Sequence, residues 1–243
     1  MIEARQLRKS FGDVAAVKDV SFVAPDGCIT GLLGPNGAGK STTLRMLYTV
    51  LQPDFGAALI NGIDAAAQPL AARCHIGVLT HSAGVYHNLT ARENILYYGE
   101  LQGLTASQRE RRADELIEML EMRDFAHRRA KGFSQGQRVK TALARALVHR
   151  PRNILLDEPT NGLDVMAVRN LRQLLLRLRE QGHCILFSSH VMQEVTSLCE
   201  QVVVIARGTV IVTGSLDAVR ERAGEQNLEE AFVKLIGSAE GLS

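Results

Sequence analysis

Apolar and polar positions along the chain fall into short blocks with two different periods. Apolar, β-branched runs at 17–22, 28–33 and 57–63 are separated by Gly, Pro and Asp, which predicts strands. A further apolar run at 76–80 reads the same way. Beyond residue 82 the texture changes. Thr90-Ala91-Arg92-Glu93 has the form of a capping box and predicts a helix start. Ala113, Leu116, Ile117 and Leu120 then recur at helical spacing in a stretch dense with Arg and Glu. Strand texture returns at 153–156, 183–188 and 201–213, the last broken at Arg207-Gly208 as a hairpin turn. Between these a helix is predicted from Val165, with Val168, Leu171, Leu175 and Leu178 on one face and Gly182 as its stop. The chain beyond Gly214 is polar, then helical over 228–235.

Strands alternating with helices predict an α/β fold with a mostly parallel sheet. The stretch 84–145 reads as a helical insertion into that core, and no internal repeat is visible. Composition acts mainly by exclusion. The chain has 243 residues, 46% hydrophobic and 22% charged, close to the globular average. A net charge of +2 gives no support to a nucleic-acid binder held by a basic surface. No apolar run approaches the ~18 residues of a membrane span. The first residues carry charges and no apolar stretch, which predicts no secretory signal. Cys28, Cys74, Cys184 and Cys199 are scattered without a CxxC, so they read as buried thiols in a reducing compartment.

One motif carries specific chemistry. Gly34, Pro35, Asn36, Gly37, Ala38, Gly39, Lys40 and Ser41 satisfy G-x-x-x-x-G-K-[ST], with Thr42 following. The strand at 28–33 precedes it and a helical segment at 41–51 follows, which is the context the motif requires. Glycines let successive N–H groups point inward at phosphate oxygens, and the helix N-terminus adds a positive dipole end. Lys40 can reach the β- and γ-phosphates, and the Ser41 hydroxyl can ligate Mg²⁺. A second anionic site follows from the strand at 153–156, which ends in Asp157-Glu158. An acid at the carboxyl end of a central parallel strand sits beside such a loop. Asp157 is placed to hold the Mg²⁺ shell. Glu158 is the candidate general base, or the group that orients the attacking water. Ser134 and Gln137 in Phe133-Ser134-Gln135-Gly136-Gln137 form a capping box before a helical run at 138–149. A capped helix start of this kind is also an anion site.

Taken together, these motifs resemble the nucleotide-binding subunit of an ATP-binding cassette (ABC) transporter. The resemblance rests on the phosphate loop, the LSGGQ-like 133–137, the Asp157-Glu158 strand, the Asn161-Gly162-Leu163-Asp164 turn and Ser188-Ser189-His190, in family order and spacing. It covers residues 2–235 and implies a phosphate-loop NTPase core with an N-terminal antiparallel β region and an inserted helical subdomain. The expected division is one domain over 1–235 and a tail over 236–243. The resemblance further implies a head-to-tail dimer holding ATP and Mg²⁺. Ser134, Gly136 and Gln137 of one subunit would face the γ-phosphate bound to the other. His190 would contact that phosphate and sense its loss. Asp164 would link the two sites or cap the next helix. Phe11 would stack on adenine, or belong to the core.

Where the family usually has Gln, this chain has His81. The resemblance makes that position a ligand of Mg²⁺ and of the water site, and a neutral imidazole can serve there with shorter reach and pH sensitivity. Reduced or pH-dependent coupling is therefore expected.

The chain carries a lone cassette, so a separate membrane permease is the implied partner, received near 82–104, with the subunit at the cytoplasmic face of the membrane. The signature and insertion resemble exporter cassettes of the ABC-2 group, most of all Nat-type sodium-efflux ATPases. Export of drugs, lipids or polysaccharides stays open, as does a soluble ABC ATPase of the iron–sulfur assembly type.

Overall fold

The computed structural model describes residues 1–82 and 84–240, with side chains up to 237. The chain runs β1 (Ile2–Phe11), β2 (Val14–Ala24), β3 (Ile29–Leu33), α1 (Lys40–Leu47), β4 (Phe55–Ile60), β5 (Ile63–Asp64), α2 (Pro69–Arg73) and β6 (Ile76–Leu79). Next come α3 (Ala91–Leu101), α4 (Ala106–Met119), α5 (Gln135–Leu147), β7 (Asn153–Asp157), α6 (Val165–Glu180) and β8 (Cys184–Ser189). The last elements are α7 (Met192–Leu198), β9 (Gln201–Ala206), β10 (Thr209–Ser215), α8 (Leu216–Ala223) and α9 (Leu228–Glu240).

Among the described residues the strands form one sheet in the order β5-β4-β1-β2-β10-β9-β3-β8-β7-β6. Strands β9, β3, β8, β7 and β6 pair parallel to one another. Strands β2, β1, β4 and β5 pair antiparallel, which makes the N-terminal β region. The parallel part is covered on both faces, so β3, β7 and β8 are buried throughout and read as continuous apolar runs.

Alternation along those strands decides which core each side chain joins. Ile154, Leu156, Ile185 and Phe187 pack with the inserted helices and α6. Leu155, Leu186 and Leu32 pack on the opposite face with Leu44 and Leu47 of α1. By the same parity Asp157 and Ser188 fall on the α1 face, and Ser189 falls on the other.

Three helices, α3 to α5, lie between β6 and β7. Helices α3 and α5 start where their capping boxes predict, at Thr90 and Ser134. A further box at Thr105 and Gln108 opens α4. Helix α5 begins before 138 because the box itself supplies its first turn. Helix α1 stops at Leu47, short of 51, where Thr49 takes a left-handed φ of 68°.

The long strand β1 was not legible, since its residues alternate between buried and exposed with charged Glu3, Arg5, Arg8 and Lys9. Helix α8 occupies the stretch read as polar, and α9 continues past 235 to Glu240; the tail boundary at 236 thus falls inside a helix, and 241–243 lie outside the described residues. Of the four thiols expected to be buried, Cys74 is exposed. It lies just past the short helix α2 rather than on a sheet strand. No helix among the described residues is long and apolar enough to cross a membrane.

Candidate functional site

The loop between β3 and α1 is shaped by close backbone approach. A Cβ at Gly34 would lie 2.2 Å from the Ile205 carbonyl oxygen. Gly39 has φ +103°, and a Cβ there would lie 2.6 Å from the Ala16 carbonyl oxygen. Neither position accepts another residue without moving β9 or β2. Helix α1 has Gly39 as its N-cap, no side-chain cap and no acid in its first turn. Its first amides therefore have no local side-chain acceptor, and the helix dipole presents a positive end there.

Lys40 is only 6% exposed. Its Nζ donates to the Gly34 carbonyl at 2.7 Å and to the Pro35 carbonyl at 3.1 Å. Desolvation lowers its pKa, opposed by the nearby Glu158 and Asp157 charges. A buried ammonium resting on neutral carbonyls beside uncapped amides fits a polyphosphate.

Asp157, 4% exposed, accepts at one oxygen from two hydroxyls. Ser41 Oγ donates to Oδ1 at 3.2 Å, and Ser188 Oγ donates to the same oxygen at 2.8 Å. Among the described residues no cluster of three or more His, Cys, Asp or Glu could hold a metal unaided. A hydroxyl, one buried carboxylate and substrate phosphates form the hard oxygen set that suits Mg²⁺.

Glu158 has φ 49°, a left-handed conformation seldom adopted by a non-glycine residue. Its N–H donates to Ser188 Oγ at 3.0 Å. Its two carboxylate oxygens face two imidazoles. His190 Nδ1 lies 3.3 Å from Oε1, and His81 Nδ1 lies 3.7 Å from Oε2. Both rings are more than half exposed, at 53% and 59%. His81 makes no hydrogen bond to Ser41 or Asp157, so its contact in this chain is with the base rather than with the metal-side pair.

Ser134, Gly136 and Gln137 do not join this cluster within one chain. Gln137 N–H donates to Ser134 Oγ at 3.3 Å, and Ser134 N–H donates to Gln137 Oε1 at 3.1 Å. A Cβ at Gly136 would meet Ala167 on α6 at 3.6 Å. Asp164 caps α6, accepting the Ala167 N–H at 2.8 Å. Phe11 ends β1 and is 48% exposed, which excludes the core alternative. Lys9 Nζ sits 5.8 Å from its ring centroid.

In the sequence Ser188 stands out only as part of Ser188-Ser189-His190. Its tie to the acids follows from pairing, since Ser188 stands opposite Asp157 in the β7–β8 register. Arg145, on α5, is outside every sequence motif. Its guanidinium lies 3.6 Å from the Tyr98 ring centroid and donates to the Gly84 carbonyl at 2.6 Å. Burial lowers its pKa. The only sequence signal was a charged residue at an otherwise apolar stretch of α5.

A parallel sheet with a phosphate loop at the tip of a central strand, and an acid pair on the adjoining one, defines a phosphate-loop nucleoside triphosphatase. The sequence profile of the family described as ABC transporter matches residues 17–161. The chain is 42% identical over 221 residues to the ABC transporter ATP-binding protein NatA of Bacillus subtilis, covering 90% of each. It is 32% identical over 239 residues to the linearmycin resistance ATP-binding protein LnrL of the same organism, covering 98% of this chain and 77% of that one. A solved ATP-binding subunit of an ABC transporter superposes with a TM-score of 0.89 at 29% identity, covering 97% of this chain and 99% of that one. A dimeric post-hydrolysis state of the cassette MJ0796 bound to ADP and Pi superposes with a TM-score of 0.80 at 27% identity, covering 88% and 98%. The chain belongs to the ABC transporter family and is an ATP-binding, ATP-hydrolysing subunit of the exporter type.

Proposed function

We propose that this subunit powers export of a substrate through a separate membrane permease, hydrolysing ATP in an ATP-dependent head-to-tail homodimer. The observation that carries the reading is the convergence of Lys40, Ser41, Asp157 and Glu158 from a loop and a strand far apart in sequence. Residues 34–42 cradle the triphosphate with backbone N–H groups, and Lys40 exchanges its carbonyl partners for β- and γ-phosphate oxygens. Ser41 and Asp157 hold Mg²⁺, which when bound offsets charge on the phosphate oxygens. Glu158 takes the proton from, or orients, the attacking water, and His190 holds Glu158 and senses the γ-phosphate. Phe11 stacks on adenine. Ser134, exposed, and Gly136 and Gln137, half-buried, on a separate helical arm serve the nucleotide of the other subunit, and Asp164 links the two sites. His81 takes the place of the usual Gln beside the base.

Residues 1–240 act as one ATPase domain with the arm at 84–145 inserted, since α9 runs on to Glu240. The permease docks in a cleft of about 400 Å³ between sheet and arm, lined by Val50, Arg73, Val78, Tyr98, Arg145 and His149. That contact keeps the subunit at the cytoplasmic face of the membrane. Sodium ion is the proposed cargo, supported by the resemblance to Nat-type ATPases and the similarity to NatA. Drug export is the second reading, supported by the similarity to LnrL and to the doxorubicin resistance protein DrrA of Mycobacterium tuberculosis, 34% identical over 243 residues.

Glu158→Gln is the direct test. It removes the basic carboxylate and keeps the shape, so ATP binding persists while turnover falls by about 10²–10⁴-fold. An ATP-bound dimer then accumulates and is visible by gel filtration. Wild-type turnover in this variant would remove Glu158 from the reaction. Purification in detergent with an integral membrane protein, followed by sodium and drug efflux from vesicles of the complex, separates the two cargo readings. Co-purification with a soluble partner instead would favour the non-transport alternative.

A further inference from the structure

Glu194 lies in the first turn of α7 and has no part in the reaction above. Its Oε2 accepts two hydroxyls, Thr160 Oγ1 at 2.9 Å and Ser189 Oγ at 2.8 Å. These hydroxyls come from different elements, Thr160 from the turn after β7 and Ser189 from the end of β8. Thr160 lies two residues past Glu158, and Ser189 immediately precedes His190. Ser189 also accepts the Val191 N–H at 2.9 Å, so its hydroxyl is tied on both sides. The carbonyl of Thr160 accepts the Leu163 N–H at 3.0 Å. The 3.3 Å contact between His190 Nδ1 and Glu158 Oε1 then closes a ring: Glu158, Thr160, Glu194, Ser189, His190.

The parity of β8 explains why this ring is separate from the metal-side pair. Ser188 points to the α1 face and bonds Asp157, whereas Ser189 points to the opposite face and bonds α7. The two adjacent serines therefore anchor opposite walls of the site. Among the described residues the half-exposed His190 ring makes no other hydrogen bond. A strained residue such as Glu158 keeps its conformation only when its surroundings hold it. A charged acceptor receiving two hydroxyls is a stronger clamp than a neutral one.

We infer that Glu194 is a positioning residue for ATP hydrolysis: holding Thr160 and Ser189 on one oxygen, it sets the distance between Glu158 and His190. The inference rests on Glu158 and His190 acting as the hydrolytic pair. A displacement of about 1 Å at such a pair costs up to about 100-fold in rate.

The test compares steady-state kinetics and ATP affinity for Glu194→Ala, Glu194→Gln, His190→Ala, Glu158→Gln and the Glu194→Ala/His190→Ala double variant. Glu194→Ala is expected to lower kcat by about 10–100-fold while KM and ATP affinity stay within about two-fold. Glu194→Gln recovers most of the loss, because its amide oxygen can still accept both hydroxyls. In the His190→Ala background Glu194→Ala adds no further loss, since the partner it positions is already gone. Should Glu194→Ala fail to fold, the Thr160→Val/Ser189→Ala variant removes the same two links from the other side, and its kcat is read alone and with His190→Ala in the same way. Wild-type kcat in Glu194→Ala, with His190→Ala and Glu158→Gln both slow, overturns the inference. An equal loss with and without His190 also overturns it, because that is the mark of a merely structural residue. Wild-type turnover in His190→Ala and Glu158→Gln would instead strike the hydrolytic pair itself.

Discussion

Ser188 donates to Asp157 Oδ1 at 2.8 Å from the directly paired position on the neighbouring strand. The same hydroxyl accepts the Glu158 N–H at 3.0 Å. One buried serine thus satisfies the metal-side carboxylate and the backbone of the base together. Ser188→Ala leaves both groups short of a partner, an expected loss of about 1–3 kcal/mol in stability. Urea unfolding checks this through a lower midpoint at unchanged m-value.

Lys40→Ala removes the buried ammonium of the phosphate loop. Charge-assisted hydrogen bonds are worth about 1.5–3 kcal/mol, so ATP affinity falls by about 10–100-fold or more. Titration with a fluorescent ATP analogue measures it. Unchanged affinity would mean that the loop amides alone hold the phosphates.

His81 stands 3.7 Å from Glu158 Oε2. His81→Gln brings back the residue type usual in the family, with longer reach and no titration. Turnover is expected to rise, or its pH profile to flatten. An ATPase profile matching wild type in both rate and shape would end the idea that His81 limits coupling.

Two half-buried histidines away from the site bear on stability. His149 bonds the Ile76 carbonyl through Nε2 at 3.0 Å, and its Nδ1 is buried without a partner. Desolvation lowers its pKa, and that of His183 as well. The unfolded chain, with an ordinary histidine pKa of about 6.5, then binds protons that the folded chain refuses. Stability is therefore level above that value and falls as pH drops through the window below it. Melting temperature recorded from pH 7.5 to 5.5 is expected to decline, and His149→Gln is expected to make the decline shallower.

Much of the local structure was legible because it depends on near neighbours in the chain. The boxes at Thr90 and Ser134, the Asp164 cap and the turn at Arg207-Gly208 each need only residues within a few positions. Strand β1 was missed because one of its faces is charged and solvated, so its apolar residues never form a run. Cys74 was misplaced for a related reason: residue type carries a preference for burial, not a position.

The phosphate loop and the acid pair could be named from the sequence alone, since their chemistry is written in contiguous residues. Only the folded sheet decides which groups meet. Ser41 reaches Asp157 across 116 positions, and Glu158 lies between His81 and His190 although each comes from a different strand end. The parity of β8 sends Ser188 to the acid and Ser189 to Glu194. The physical reason is that strand pairing and register are long-range: a shift of one residue would exchange those two partners while leaving every motif intact.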